Sequence, residues 1–497
     1  MSHSPSATIT ARIRTLALAG VASLSLAACA SVPGANIPPG SPITQAEAQQ
    51  GAEYHQQFVQ EFGGEMTGPH AQYVQQIGQN IAVQSGLAQN RNAFDVTLLN
   101  SSVNNAFAVP GGYVYATRQL VNLMNNEAEL AAVLGHEVGH VAARHSARRQ
   151  AAAQRNQLGG AAIAILSNIL LGDSTAGNLL SRGALQGAQA LTLSYSRDQE
   201  LEADGLGVQY LKSAGYDPHA MATLLQSLAA QNQLDAQLQG RDDATIPEWA
   251  STHPDPASRI QNALQLAGST TGVVNRETFM SRIDGMIYGD DPEQGVIEGR
   301  QFIHPELGFT FTAPQGYYMV NSTRAVSVNG DGGRAQLTTA PYQNNLDTYV
   351  RQVFASLSDQ QQIQPQGVQR TTVNGLPAAY GTARVNNGQQ QVDVTVFAYE
   401  FSPSQAYHFI SITPAGQSGT FNSLYNSMRR ISATEAQNVV PRRVDVVTAG
   451  GGDSIASLAR RMAYPDAQVE RFRVLNGLFG NAEVVPGQQY KIVVRSN

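Results

Sequence analysis

The pentapeptide His136-Glu137-Val138-Gly139-His140 restricts the fold of this chain more than any other stretch. It lies in a run whose apolar residues, Leu130, Val133, Leu134, Val138 and Val141, recur at helical spacing. Asn126, with Glu129 three residues on, gives that run a capped start. At about 100° per residue, positions four apart differ by about 400°, so both histidine rings project from one face of the helix. Two imidazoles so placed suit a tetrahedral zinc, and Glu137 beside them can take a proton from a water the metal activates.

The remaining ligand has to come from elsewhere. A metzincin pattern needs glycine at 143 and histidine at 146, where this chain has Ala143 and Ser146. His145, about 180° from His136 at helical spacing, is expected at the surface or in a second layer behind the ligands. The stretch Ser196-Arg197-Asp198-Gln199-Glu200-Leu201-Glu202-Ala203-Asp204 supplies a second helix start. There Glu200 can bind zinc while Asp204, one turn on, holds the far nitrogen of a zinc-bound histidine. Asp198 and Glu202 have the same spacing, so spacing alone leaves both pairs open.

Asn105-Ala106-Phe107-Ala108-Val109-Pro110-Gly111-Gly112, His136-Glu137-Val138-Gly139-His140, Glu200-x-x-Ala203-Asp204 and Ser251-Thr252-His253-Pro254 with Arg259-Ile260 follow one another along the chain. Together they resemble the gluzincin zinc metalloproteases that include the CAAX prenyl proteases, HtpX, BepA and LoiP. The likeness covers residues 45–268. It implies one zinc per chain on His136, His140 and Glu200, with Glu137 as general base and Asp204 supporting catalysis. The membrane-spanning helices of the prenyl proteases and HtpX have no counterpart here, so the likeness is to the periplasmic BepA/LoiP-like branch. In that branch the loop of His253 can cover the site and put its ring in the fourth position, which makes His253 a gate or a transition-state residue. Trp249 lies four residues earlier, placed to report on such a movement. The segment from Ala106 to Tyr115, with Phe107, Ala108, Gly111 and Gly112, is expected as an edge strand above the zinc that an extended substrate could pair with. Small apolar residues over 151–190 read as a core or capping hairpin.

Further along, residues 302–431 alternate like strands, with helices expected at 346–357 and 419–430. The opening Phe302-Ile303-His304-Pro305-Glu306-Leu307-Gly308-Phe309 resembles PsbP-like domains. Residues 444–494 read as a β-α-α-β unit. Gly452-Asp453-Ser454-Ile455, Leu475-Asn476-Gly477 and Lys491-Ile492-Val493 resemble a LysM module, which implies peptidoglycan binding. Glycines near 450 mark a boundary, so residues 440–497 are expected to be dispensable for metal binding and peptide cleavage. At the other end, Arg12 and Arg14 precede an apolar run over 16–28. Spanning a bilayer takes about 20 residues, so the run reads as a secretory signal. Leu26-Ala27-Ala28-Cys29 resembles a lipobox. That implies lipidation at Cys29, the only cysteine of the chain, and Ala30 in place of an aspartate points to the outer membrane. A net charge of −6 makes a nucleic-acid partner a poor expectation.

The expected organisation is α+β multidomain: a signal at 1–28, a flexible tether at 29–44, a mostly helical zincin-type metalloprotease domain with a small sheet at 45–290, an α/β sandwich at 300–434 and a small β-α-α-β module at 442–497. The expected function is a lipid-anchored zinc endopeptidase on the periplasmic face of the outer membrane. Its substrates would be misfolded or stalled envelope proteins, and the last module would reach peptidoglycan. The alternative is a chaperone-like or peptidoglycan-binding scaffold with little proteolysis.

Overall fold

A computed structural model describes residues 37–156, 195–239, 253, 256–357, 363–386 and 391–496. Cys29, Trp249 and the apolar stretch after residue 156 lie outside the described residues. No described helix is long and apolar enough to cross a membrane.

The chain is α+β. Helices α1 (Gln45–Glu61) and α2 (Pro69–Ala82) lead into strands β1 (Asp95–Leu99), β2 (Ala106–Val109) and β3 (Tyr113–Thr117). These form a sheet in the order β1-β3-β2, with β1 parallel to β3 and β2 antiparallel to it. The edge strand expected over 106–115 is therefore β2 alone, and Tyr113 and Tyr115 belong to the central strand. Alternation gives β2 two faces. Ala106 and Ala108 pack into the core around the metal-bearing helix, while Phe107 and Val109 join Phe58 and Tyr115 under α1. Gly111, at φ +97°, turns the chain so close to α1 that a Cβ there would sit 2.6 Å from the carbonyl oxygen of Glu47.

Next come α3 (Arg118–Leu123), α4 (Glu127–Ala142), α5 (His145–Asn156), α6 (Arg197–Ala214), α7 (Ala220–Leu238), α8 (Pro256–Ala267) and α9 (Arg276–Ile283). Asn126 caps α4 as expected, its side chain accepting from the Glu129 N–H at 2.9 Å. Almost every residue of α4 is buried, so it runs through the core rather than along the surface. The segment expected as a loose tether is fastened from Pro38 on. Gly40 N–H donates to Ala142 O at 2.9 Å, and the Arg144 guanidinium donates to the carbonyls of Ser41 and Pro42.

Strands β4 (Ile287–Tyr288), β5 (Val296–Glu298), β6 (Gln301–His304) and β7 (Phe309–Thr312) follow, then β8 (Tyr318–Asn321), β9 (Val326–Gly330), β10 (Gly333–Thr339), α10 (Leu346–Ser356), β11 (Gln369–Val373), β12 (Leu376–Asn386), β13 (Gln391–Ser402) and β14 (Gln405–Pro414). A seven-stranded antiparallel sheet, ordered β11-β12-β13-β14-β10-β9-β8, carries α10 on one face. Phe302, Phe309 and Phe311 of β6 and β7 cover the other face. The helix expected over 419–430 is shorter. It forms α11 (Asn422–Ser427), after which Arg429 and Arg430 make strand β15 beside β7.

After α12 (Ala433–Gln437), the last unit is β16 (Arg442–Thr448), α13 (Ile455–Ala459), α14 (Gln468–Leu475) and β17 (Gln489–Arg495), the expected β-α-α-β order. It does not stand apart. Strand β16 pairs with β4, and Val444 is buried in the same core as α4. The Nζ of Lys491 donates to the carbonyls of Asn122 and Met124 at the end of α3. Removing residues 440–497 would take Val444 out of that core and leave the Asn122 and Met124 carbonyls without their donor, which argues against the expected independence of this unit.

Candidate metal centre

Two helices build the centre, and small residues set their separation. Gly135 and Gly139 of α4 face Ala203 and Gly207 of α6. A Cβ on Gly139 would lie 3.0 Å from Ala203 O, and one on Gly207 would lie 2.6 Å from Met221 Cε and 3.2 Å from His136 N. Ser196 caps α6 with a reciprocal bond from Gln199, so Glu200 lies in the first turn, pointing at the α4 histidines.

His136, His140, Glu200 and His253, all buried, offer one donor atom each within 4.8 Å of one another. His136 Nε2 lies 3.0 Å from His140 Nε2 and 3.3 Å from His253 Nδ1. The Glu200 carboxylate lies 3.5 Å from each α4 ring and 3.0 Å from His253 Nδ1. A tetrahedral zinc with bonds of about 2.0–2.1 Å has donor–donor edges of roughly 3.3–3.4 Å, so nitrogen and oxygen donors at these separations fit one zinc ion. Glu137 is beside them, buried, and its Oε1 has no hydrogen-bond partner. His253 Nε2 is 3.6 Å from that oxygen, beyond hydrogen-bond reach.

A second layer orients the donors. Asp204 Oδ1 lies 2.9 Å from His136 Nδ1. Arg259 Nε and Nη2 hold Asp204 with two 2.7 Å bonds, and its Nη1 lies 2.7 Å from Glu200. The His140 ring stacks on Tyr195 with centroids 3.8 Å apart. Burial works against charge on His136, but Asp204 and Glu200 outweigh it and push its pKa up to about 9. Burial pushes His140 well below the usual range and lifts Glu137 above the carboxylate range. Against the same burial, His253 together with the α4 histidines holds Glu200 well below that range, and Arg259 holds Asp204 at about 2. Glu200 as an anion and His140 as a neutral ring are in the states a metal requires, whereas His136 would give up a proton on binding one.

Of the two carboxylate pairs left open by spacing, the structure brings Glu200 and Asp204 inward. Asp198 is exposed and Glu202 pairs with His145 and Arg148. His136, Glu137, His140, Glu200, Asp204 and His253 come together; Ala106 and Ala108 flank α4 on β2. Sequence reasoning quoted Arg259 in a motif without giving it a contact, allowed His145 a second-layer place without naming His140 as its partner, and missed Tyr195.

Residues 69–267 match the profile of Peptidase family M48. The chain is 37% identical over 195 residues to a beta-barrel assembly-enhancing protease of Yersinia pestis, covering 39% of this chain and 38% of that one. It is 34% identical over 205 residues to the protein of the same name in Escherichia coli (strain K12), covering 41% and 40%. With the mitochondrial metalloendopeptidase OMA1 of Schizosaccharomyces pombe it shares 28% over 219 residues, 43% of this chain and 59% of that one. The match thus spans about two fifths of the length of the bacterial relatives. Among solved structures, cyanobacterial PsbP from Synechocystis sp. PCC 6803 aligns with 26% of this chain and 91% of that one at 12% identity, with a TM-score of 0.22, too low to argue from.

Proposed function

We propose, from the match of residues 69–267 to the profile of Peptidase family M48, that the chain is a zinc-dependent endopeptidase of the bacterial envelope. His136, His140 and Glu200 would hold the metal, and Asp204 fixes His136 from behind. Bound there, zinc supplies a Lewis acid that polarises a scissile carbonyl and acidifies water. Glu137 takes the proton of the attacking water and returns it to the leaving amine. Strand β2, through Ala106, Phe107 and Ala108, pairs with an extended substrate, and Gly111 and Gly112 set the turn behind it. The observation that carries this reading is the four-donor cluster with the unpartnered Glu137 Oε1 beside it.

Substrates on this reading are misfolded or stalled envelope proteins, in keeping with the name beta-barrel assembly-enhancing protease borne by the bacterial relatives. Cys29 carries the lipid that holds the chain to the periplasmic face of the outer membrane, and the C-terminal unit contacts peptidoglycan. His253 is the gate. A catalytic zinc needs an open position, and His253, 3.0 Å from Glu200, would fill the fourth one. That closure also favours a second reading, a chaperone-like scaffold with little proteolysis. Cleavage of an unfolded casein-type substrate by wild type, lost in Glu137→Gln, supports the peptidase. Zinc-loaded wild type that never cleaves supports the scaffold. Comparison of envelope fragments from cells carrying either protein would then identify substrates.

A further inference from the structure

Resting on the zinc reading above, we infer that His145 is a positioning residue for the metal centre, linking the zinc-binding His140 to Glu202 at the surface. Its Nδ1 lies 2.8 Å from His140 Nδ1, and its Nε2 lies 3.0 Å from Glu202 Oε2. The proton order follows from the metal. With the His140 Nε2 lone pair given to zinc, its proton sits on Nδ1 and donates to His145 Nδ1. His145 then carries its proton on Nε2 and donates to the Glu202 carboxylate, which Arg148 Nη1 also meets at 3.1 Å. Each metal histidine of α4 thus has its own backing: a buried aspartate held by Arg259 behind His136, and a neutral histidine held by a half-exposed glutamate behind His140. Tyr195, stacked on His140, leaves that ring few other orientations.

The backbone is shaped for this contact. Helix α4 stops at Ala142, and Arg144 takes φ +52°, in the left-handed region that a side chain of its size rarely adopts. That turn folds His145, the first residue of α5, back over His140. Arg144 is itself buried and tied down by Glu47 at 3.1 Å and by the Ser41 and Pro42 carbonyls, so the surroundings hold the strained residue in place.

Three variants of the full chain test the assignment, each with zinc affinity from chelator competition and with the visible spectrum of the Co2+-loaded protein. His145→Phe fills the space without an acceptor and should weaken zinc by about 10–100-fold, the usual effect of losing such a partner. His145→Asn places Oδ1 near the former Nδ1, so it should restore most of that affinity and the wild-type Co2+ spectrum. Glu202→Gln, at a half-exposed site that folding tolerates, should shift the spectrum with a smaller loss. Should His145→Phe fail to fold, the Asn and Gln variants still decide the matter. Wild-type affinity and an unchanged spectrum in Glu202→Gln, with His145→Asn no better than His145→Phe or itself weak, would overturn the proposal. Failure of the zinc reading looks different: wild type itself would bind no zinc, or Glu200→Gln would bind it as tightly as wild type.

Discussion

Replacing Lys491 by Met tests whether the C-terminal unit holds the start of the metal-bearing helix. The fully buried Nζ of Lys491 donates to Asn122 O at 2.8 Å and Met124 O at 2.5 Å, carbonyls left open where α3 ends. Just beyond, Glu129 closes the cap of α4. It accepts from the Asn125 N–H at 2.8 Å and from Thr223 Oγ1 at 2.7 Å. Burial lifts Glu129 above the usual carboxylate range, and the charges of Lys491 and Arg276 oppose that rise. Methionine keeps the apolar stem and removes the donor. Two short charge-assisted bonds of about 1.5–3 kcal/mol each and a longer one to Leu123 O at 3.4 Å disappear, partly offset because no ammonium then has to be desolvated at a site where burial pushes Lys491 well below its usual range. Together, less that offset, these bonds leave a net loss of about 3–5 kcal/mol. For a domain of 150–250 residues, which loses about 2–4 °C per kcal/mol, the melting temperature should fall by roughly 6–20 °C. Urea unfolding and calorimetry of wild type, Lys491→Met, Glu129→Gln and the double variant would measure this. The double variant should lose less than the sum of the singles, because Glu129 no longer needs the cation. A loss under about 0.5 kcal/mol in Lys491→Met, within the range of ordinary surface changes, together with additive singles would refute the reasoning.

The chemistry gives four further expectations. Glu137→Gln should cleave about 10²–10⁴-fold more slowly at unchanged zinc content, since Glu137 is a base and not a ligand; metal analysis beside a cleavage assay reads both. Glu200→Gln should instead lose the metal to a chelator that leaves wild type loaded. His253→Ala should keep zinc and raise basal proteolysis if the ring fills the fourth corner, whereas a zinc-loaded but inactive variant would assign it to the transition state. The zinc-free protein should have a stability maximum in mild acid. His136, raised to about 9, contributes stability that is complete below 6.5 and is lost as pH climbs toward 9; Asp204, lowered to about 2, contributes above 3.8 and loses it as pH falls toward 2. Melting curves flat from pH 6 to 9 would remove the His136–Asp204 contact from this account.

Which carboxylates enter the site was more legible than spacing alone suggests. On α6, Glu200 and Asp204 share their face with Ala203 and Gly207, at the i, i+3, i+4, i+7 positions of one stripe. On α4, His136 and His140 share theirs with Gly135 and Gly139. Two helices can bring short carboxylates against imidazoles only where small residues let the backbones approach, and Asp198 and Glu202 share their face with the bulky Leu201 and a single small residue, Gly205. What pattern could not supply was whatever depends on the chain leaving its period. His145 is opposite His136 only if α4 runs on unbroken; the left-handed turn at Arg144 reverses that, and it is stabilised by Glu47 and by the Ser41 and Pro42 carbonyls, about a hundred residues upstream. Arg259 reaches Asp204 across 55 residues of sequence, with no periodicity linking them. The C-terminal unit shows the same limit. Its β-α-α-β order follows from local alternation, whereas its attachment rests on contacts between distant residues, among them Lys491 at the end of α3, the pairing of β16 with β4, Val444 in the α4 core and Arg276 on the Gln489 carbonyl. Such contacts between elements far apart in sequence carry no local signature, so the metal-bearing helix and its cap were readable while the groups that hold them in place were not.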